Sequence, residues 1–375
     1  NGYGPFVFGG EGPIGFVSLY APLASAFLVL VFYRFSLALG TSRRNALVAT
    51  ALLASCTYVL MMSTYFLRHA AESAALLGSF YFFFRYKQGG PLRNLWIGCA
   101  LAFLVPLLRI PAALNAPVLA AYLTWVIYLR SERFTRKSVI GAALLAIAVP
   151  LTAAGILYVT FNYMKWETFF TSPMVAQVER LKNPIAIGLK GFLVSPGSSV
   201  FVYSPLLLLI PWTLPNFWKR WRAEAVAFIS LALFLLLLYS MFDGWEGLWS
   251  APGPRYLFFW TPMLMLPLGP WLDTTRSRIA WLSVGVLALL GFAVQFISTV
   301  VRWGSVPALA GYADFEPKWG FLFRVEHAPV VEMGRLLLRG GPIDPWIWNL
   351  AQGWTGFPAR PGIAGAIFAL WAVLL

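Results

Sequence analysis

Residues 17–63 read VSLYAPLASAFLVLVFYRFSLALGTSRRNALVATALLASCTYVLMMS. Two apolar runs, 17–35 and 45–63, flank a short connection whose charges, Arg34, Arg43 and Arg44, are all positive. Each run approaches the roughly 20 apolar residues that a membrane-spanning helix needs. The arrangement recurs down the chain. Arg85, Lys87 and Arg93 form the next basic cluster, then Arg130, Arg133, Arg136 and Lys137, then Lys219, Arg220 and Arg222, and last Arg276 and Arg278. The intervening connections are acidic, aromatic or short. Basic residues confined to every second connection are the positive-inside pattern of a polytopic membrane protein, with the clusters on the cytoplasmic side.

Composition agrees. Hydrophobic residues make up 59% of the chain and charged residues 11%, with a mean hydropathy of +0.73; a soluble domain carries about 25% charged residues. The net charge of +14 resides almost wholly in the five clusters, which hold 15 of the 28 basic residues and only Glu132, Glu224 and Asp273 among the acids. The charge is therefore a topology signal and an attraction to anionic lipid headgroups, and it excludes a nucleic-acid footprint. Cys56 and Cys99 both lie inside apolar runs and are expected to pack as small hydrophobes, not as a disulfide.

The expected fold is all-α, a single transmembrane domain over 1–375. Spans are expected near 17–35, 45–63, 70–84, 94–108, 111–129, 139–160, 200–217, 224–241, 256–272 and 279–298, with a last one from about 361, about eleven in all. The chain starts at Asn1 in a Gly-rich stretch and ends inside the apolar run IAGAIFALWAVLL. It reads as a fragment of a longer protein, with at least one span before Asn1. The loops 161–199, 242–255 and 299–360 fall on the non-cytoplasmic side and are long enough to build a site. MKWETFFTSPMVAQVERLKNP in the first is a candidate interfacial helix, and VVEMGRLLLRG in the third a candidate surface helix. Their Trp residues suit either the membrane interface or stacking on sugar rings.

The sequence has no Walker loop, no GxGxxG on a βαβ unit, no GxSxG, no HExxH and no CxxC. With two His, His69 and His327, a multi-histidine metal site is not expected. What remains are ionisable residues at membrane depth or at the outer interface, where charge is costly and functional roles concentrate. Arg68, His69 and Glu72 fall on one side of one helix by their three- and four-residue spacing. They form either an interfacial anchor with a local ion pair or the polar rim of a cavity. Arg109 occupies a tight outer turn, where it either snorkels to the interface or faces inward as a phosphate ligand. Lys190 precedes the turn Ser195-Pro196-Gly197-Ser198-Ser199, which opens a span. Its free N–H groups suit an anion, although Ser and Pro are also ordinary helix caps. Asp243, Glu246, Arg255 and Tyr256 crowd one span entrance and make the most site-like cluster.

SPGSSVFVYSPLLLLIP at 195–211 and WSAPGPRYLFFWTPMLMLPL at 249–268 carry a resemblance. Together they resemble bacterial GT-C type membrane glycosyltransferases, relatives of the protein O-mannosyltransferases and the aminoarabinose transferases. Residues 1–23, 39–54, 63–85 and 334–350 are similar to the same group's first outer loop, second helix, third helix and late outer loop. The resemblance implies a bacterial inner-membrane enzyme with its site facing out. It takes a sugar from a polyprenyl-phosphate donor and gives it to an acceptor, often with a divalent metal ion. Arg255 and Tyr256 stand at the group's Gly-Pro-Arg-Tyr positions, and Glu72 stands where the group often has an acid. Taken with the reading of the residues above, this gives Glu72, Asp243 and Glu246 as candidate catalytic acids, and Arg68, His69, Arg109, Lys190, Arg255 and Tyr256 as candidate substrate-binding residues. In two places the chain departs from the pattern. Ser198 replaces a common Arg, and no Asp precedes Asp243, so the first-loop acid lies upstream of Asn1 or is missing; Glu11 is a poor substitute. The alternative reading is a non-catalytic relative serving as an accessory subunit beside other membrane subunits. A third, a lipid or polysaccharide transporter, would call for midspan charges, which are scarce.

The alternation of charge generates a topology test. In a background lacking Cys56 and Cys99, Ser172→Cys should react with an impermeant thiol reagent added from outside and Ser277→Cys should not. Equal labelling of both would contradict the arrangement.

Overall fold

In hydrocarbon the backbone has no water to bond, so a chain of this composition satisfies its N–H and C=O groups within helices. The computed structural model describes residues 20–65, 67–130, 152–164, 167–169, 180–247, 251–301 and 319–340, and among them every regular element is an α- or 3-10 helix. In chain order these are α1 (Tyr20–Ala38), α2 (Arg43–Cys56), α3 (Tyr58–Thr64), α4 (His69–Lys87), α5 (Leu92–Leu108) and α6 (Ala116–Arg130). A helix over 152–164 is α7. Then come α8 (Ile185–Val194), α9 (Val200–Tyr203), α10 (Ile210–Arg220), α11 (Arg222–Ser240), α12 (Trp260–Met265), α13 (Leu268–Thr274), α14 (Arg278–Val300) and α15 (Pro329–Leu338).

Among the described residues four helices are long and apolar enough to cross a membrane, or five if the bent pair α2–α3 is one span. The expected eleven are not reached among the described residues, and the reasons are local. The expected span 200–217 is divided into α9, a 3-10 turn at Pro205–Leu209 and α10. The expected span 256–272 is divided into a 3-10 turn at Arg255–Leu257, α12 and α13. Pro205, Pro211, Pro262 and Pro267 stand in these two segments, and each removes a helix donor. α4 is 19 residues long but carries Glu72, Arg85 and Lys87. The candidate interfacial helix near 164–184 lies mostly outside the described residues, as do Glu11, most of the 139–160 span and the last span from 361. The candidate surface helix is present as α15, where Glu332 and Arg335 form an ion pair at 2.9 Å.

Close packing follows the small residues. A Cβ on Gly98 would meet the Phe83 ring at 2.5 Å, and one on Gly78 would meet Leu101 at 2.8 Å, so a side chain of each of α4 and α5 seats against the bare glycine of the other. α2 and α3 are bent by 57° at Thr57, whose hydroxyl donates to the Leu53 carbonyl at 2.5 Å and caps α3. α14 crosses this break at Gly291, where a Cβ would sit 2.2 Å from the Cys56 carbonyl oxygen.

The connections bearing the basic clusters gather at one end of the bundle. Gln88 donates to Ala38 O at 3.3 Å, Arg130 to Gly90 O at 3.4 Å, and the Arg220 guanidinium lies beside Gly40. Asp273 receives the Ser42 hydroxyl at 2.5 Å and the Asn45 amide at 2.6 Å, fixing α13 to the start of α2. Partial burial opposes ionisation of Asp273, but the hydrogen bonds from Ser42 and Asn45 win and hold its carboxyl below the usual range. Deeper in this end, Lys87 meets Glu224 at 2.6 Å and Tyr122 donates to the same carboxylate oxygen at 2.7 Å. α4, α6 and α11 are thereby tied together around a Glu224 side chain with 0% exposure.

A buried carboxylate stripped of its cation is far costlier than a cation that can reach water. Lys87, with 19% side-chain exposure, is the partner that can reach it. Lys87→Ala should therefore destabilise the protein by about 3 kcal/mol, and Glu224→Ala by less, measured by thermal unfolding in detergent. Equal losses would contradict the asymmetry.

A candidate anion site at the opposite end of the bundle

The end of the bundle away from the basic clusters brings together the start of α4, the end of α5, the end of α11 and the turn before α12. Arg109 follows α5 in extended backbone, φ −157°, and its N–H closes the helix on Val105 O. Its side chain, 11% exposed, turns inward and lies 3.5 Å from Glu72, which has no exposure. The guanidinium also lies 5.4 Å from the Tyr239 ring centroid and 5.2 Å from that of Tyr256. The two tyrosines stack on each other at 5.0 Å and 16°. Of the two sequence alternatives for Arg109, snorkelling is thus overturned: the side chain is a buried ion-pair partner.

Arg255 approaches Tyr256 from its own turn. Its guanidinium carbon is 5.0 Å from the Tyr256 ring centroid, and Nη2 donates to the Tyr256 hydroxyl at 3.1 Å. Among the described residues Arg255 has no ion-pair partner, and its Nε is buried with no hydrogen-bond acceptor. The turn is held from below. Tyr58 donates to the Pro252 carbonyl, and Gly253, at φ +82°, lies where a Cβ would meet the Tyr203 ring at 2.9 Å. Gly247, at φ +66°, leaves room for the Arg255 side chain, since a Cβ there would stand 2.9 Å from Nε.

His69, 6% exposed, presents its ring 6.4 Å from Tyr256. Among the described residues both of its nitrogens are buried without hydrogen-bond partners, as are the Ser73 hydroxyl, the Asn115 amide and the Ser240 hydroxyl. Buried polar atoms are normally paired with protein or water. The Glu72 carboxylate oxygens and Arg255 Nε are likewise buried without hydrogen-bond partners among the described residues, and two guanidinium groups beside one ion-paired carboxylate make this end the candidate anion recess.

The remaining expected site residues fall elsewhere. Arg68 is exposed at the N-cap of α4; the carboxylate four residues on turns away from it to Arg109, so the local ion pair is not formed. Lys190 is exposed on α8. The Ser195–Ser199 turn offers no anion site: the Ser195 hydroxyl donates to Leu322 O at 2.7 Å, and Gly197 N–H donates to the same carbonyl at 3.0 Å. Ser199 caps Phe201 N–H at 3.2 Å, and α9 beyond it is only 4 residues long. This turn instead docks the 319–323 segment. Asp243 is exposed; its carbonyl accepts from Arg180 at 2.7 Å, and Arg180 lies over the Phe242 ring at 4.7 Å. Glu246 is buried at 4% exposure. Tyr239, Tyr58 and Asn115 were missed in the sequence, where a Tyr at a span end reads as part of the interfacial belt.

No protein-family model matches the chain, and no curated protein matches it. A divalent ion, which the sequence resemblance implies, finds no cluster of three or more His, Cys, Asp or Glu among the described residues.

Removing Arg109 strands a fully buried carboxylate. Arg109→Ala should cost about 3–5 kcal/mol, and adding Glu72→Gln should recover part of that loss, read as coupling in a double-mutant cycle of melting temperatures. Strictly additive losses would show that the pair is not energetically coupled.

Proposed function

We propose that this chain is a membrane transferase that takes a sugar from a polyprenyl-phosphate donor and passes it to an acceptor hydroxyl at the outer end of the bundle. The observation that carries this reading is Arg255: a half-buried guanidinium, steadied by Tyr256, with no counter-ion among the described residues. A guanidinium offers phosphate a planar fork of donors, and a departing phosphate needs a fixed cation beside it. The resemblance of the Gly253-Pro254-Arg255-Tyr256 run to GT-C enzymes supports the same role. Arg109 adds positive field, and Glu72 holds Arg109 in place. A second reading, a non-catalytic accessory subunit, is favoured by one observation: Glu72 is sealed from solvent and engaged by Arg109, which does not suit an acid that must meet an acceptor.

Arg255→Ala should lower transfer from a radiolabelled polyprenyl-phosphate sugar in proteoliposomes of the full-length protein. The loss of one such contact is worth on the order of 2–4 kcal/mol, roughly thirtyfold to a thousandfold in rate. Arg255→Lys keeps the charge but not the fork, and should also be strongly impaired. A folded Arg255→Ala protein with the wild-type rate would refute the role. Wild-type protein inactive with every donor tried would favour the accessory subunit.

A further inference from the structure

Transfer to a hydroxyl needs a group to take the hydroxyl proton. The carboxylates near the recess are poorly placed for this: Glu72 has no exposure and is engaged by Arg109, and Asp243 is exposed with its backbone bound to Arg180. His69 is buried as well, but it is committed to no ion pair among the described residues. It is 6% exposed, its ring meets the Tyr256 ring at 6.4 Å, and among the described residues neither nitrogen has a hydrogen-bond partner. An imidazole buried in this way carries one N–H and one lone pair, and leaving both unbonded is costly unless a water or ligand answers them. Arg109 and Arg255 from the facing elements, and Arg68 from its own connection, lie near enough to act on it electrostatically.

We propose that His69 is the proton acceptor for the incoming hydroxyl, an assignment that rests on the transferase reading above. In this step a lone pair of the hydroxyl oxygen forms a bond to the anomeric carbon of the sugar. The bond from that carbon to the phosphate oxygen breaks, and its electron pair leaves with the phosphate beside Arg255. The hydroxyl proton moves to the free lone pair of His69. The resulting imidazolium and the newly doubly charged phosphate monoester are then opposite charges in one recess, and the proton is later released to water. Burial and neighbouring guanidinium groups both disfavour a second proton on an imidazole, so the lone pair is present before the step.

The test separates binding from turnover in the full-length protein. Binding of polyprenyl phosphate is read from the shift in melting temperature with lipid concentration. Turnover is read in proteoliposomes with a panel of radiolabelled polyprenyl-phosphate sugars. His69→Gln should bind polyprenyl phosphate within about twofold of wild type, lose about 10²–10⁴-fold in turnover, and lack the acid limb of the wild-type rate–pH profile. His69→Asn gives the same readout if the Gln variant melts early. Loss of binding and turnover together would overturn the assignment in favour of a binding role. Wild-type turnover in both His69 variants would overturn it while leaving the transferase reading intact, and removal of the acid limb by Glu246→Gln but not by His69→Gln would move the role to Glu246. Wild-type inactivity with the whole panel would overturn the transferase reading and this assignment with it.

Discussion

The buried pair of Arg109 and Glu72 is the constraint on which the end of this protein away from the basic clusters depends. Two charges 3.5 Å apart and almost removed from water are stable only while both remain in place, because either one alone leaves an unanswered charge in a medium that does not solvate it. The pair joins the end of α5 to the start of α4. Tyr239 and Tyr256, stacked beside the guanidinium, extend that junction to α11 and to the turn before α12. Four elements are thus fixed by one ion pair and two aromatic rings. Tyr256 then supports Arg255, a guanidinium that has no carboxylate of its own among the described residues. Arg109 and Arg255 thus share one tyrosine.

The opposite end is built on the same chemistry with the charges satisfied. Glu224 receives Lys87 and Tyr122, and Asp273 receives Ser42 and Asn45. These carboxylates brace helices against one another, while the surrounding arginines point to solvent or to backbone carbonyls. The two ends therefore differ in how charge is answered. One end closes its acids with donors from neighbouring helices; the other does the same for Glu72 and, among the described residues, leaves Arg255 without a carboxylate.

Much of the fold was legible in residue spacing. The ends of α1, α4, α5, α11 and α14 fall within about three residues of the expected spans, since apolar run length and flanking arginines report directly on helices that cross hydrocarbon. The segments at 200–220 and 255–274 read as spans because their hydropathy is high, yet prolines divide them and tertiary packing around Tyr203 and Trp260 holds the pieces. The site was legible in part. Arg109, Glu72, Arg255, Tyr256 and His69 were visible as scarce polar residues at span ends. Their partners were not: Arg109 lies 37 positions from Glu72, and only the folded bundle turns one toward the other. The Ser195–Ser199 turn misled because its hydroxyls and N–H groups suit an anion as well as they suit Leu322, and local sequence does not distinguish the two.

The central claim is that Arg255 is held open for a phosphate-bearing lipid. Its most direct test is titration of the full-length protein with polyprenyl phosphate and with the uncharged polyprenol of the same chain length, following melting temperature. The account predicts a saturable rise with the phosphate, little with the alcohol, and loss of the difference in Arg255→Ala. Equal responses to the two lipids in the wild-type protein, or an undiminished phosphate response in Arg255→Ala, would contradict it.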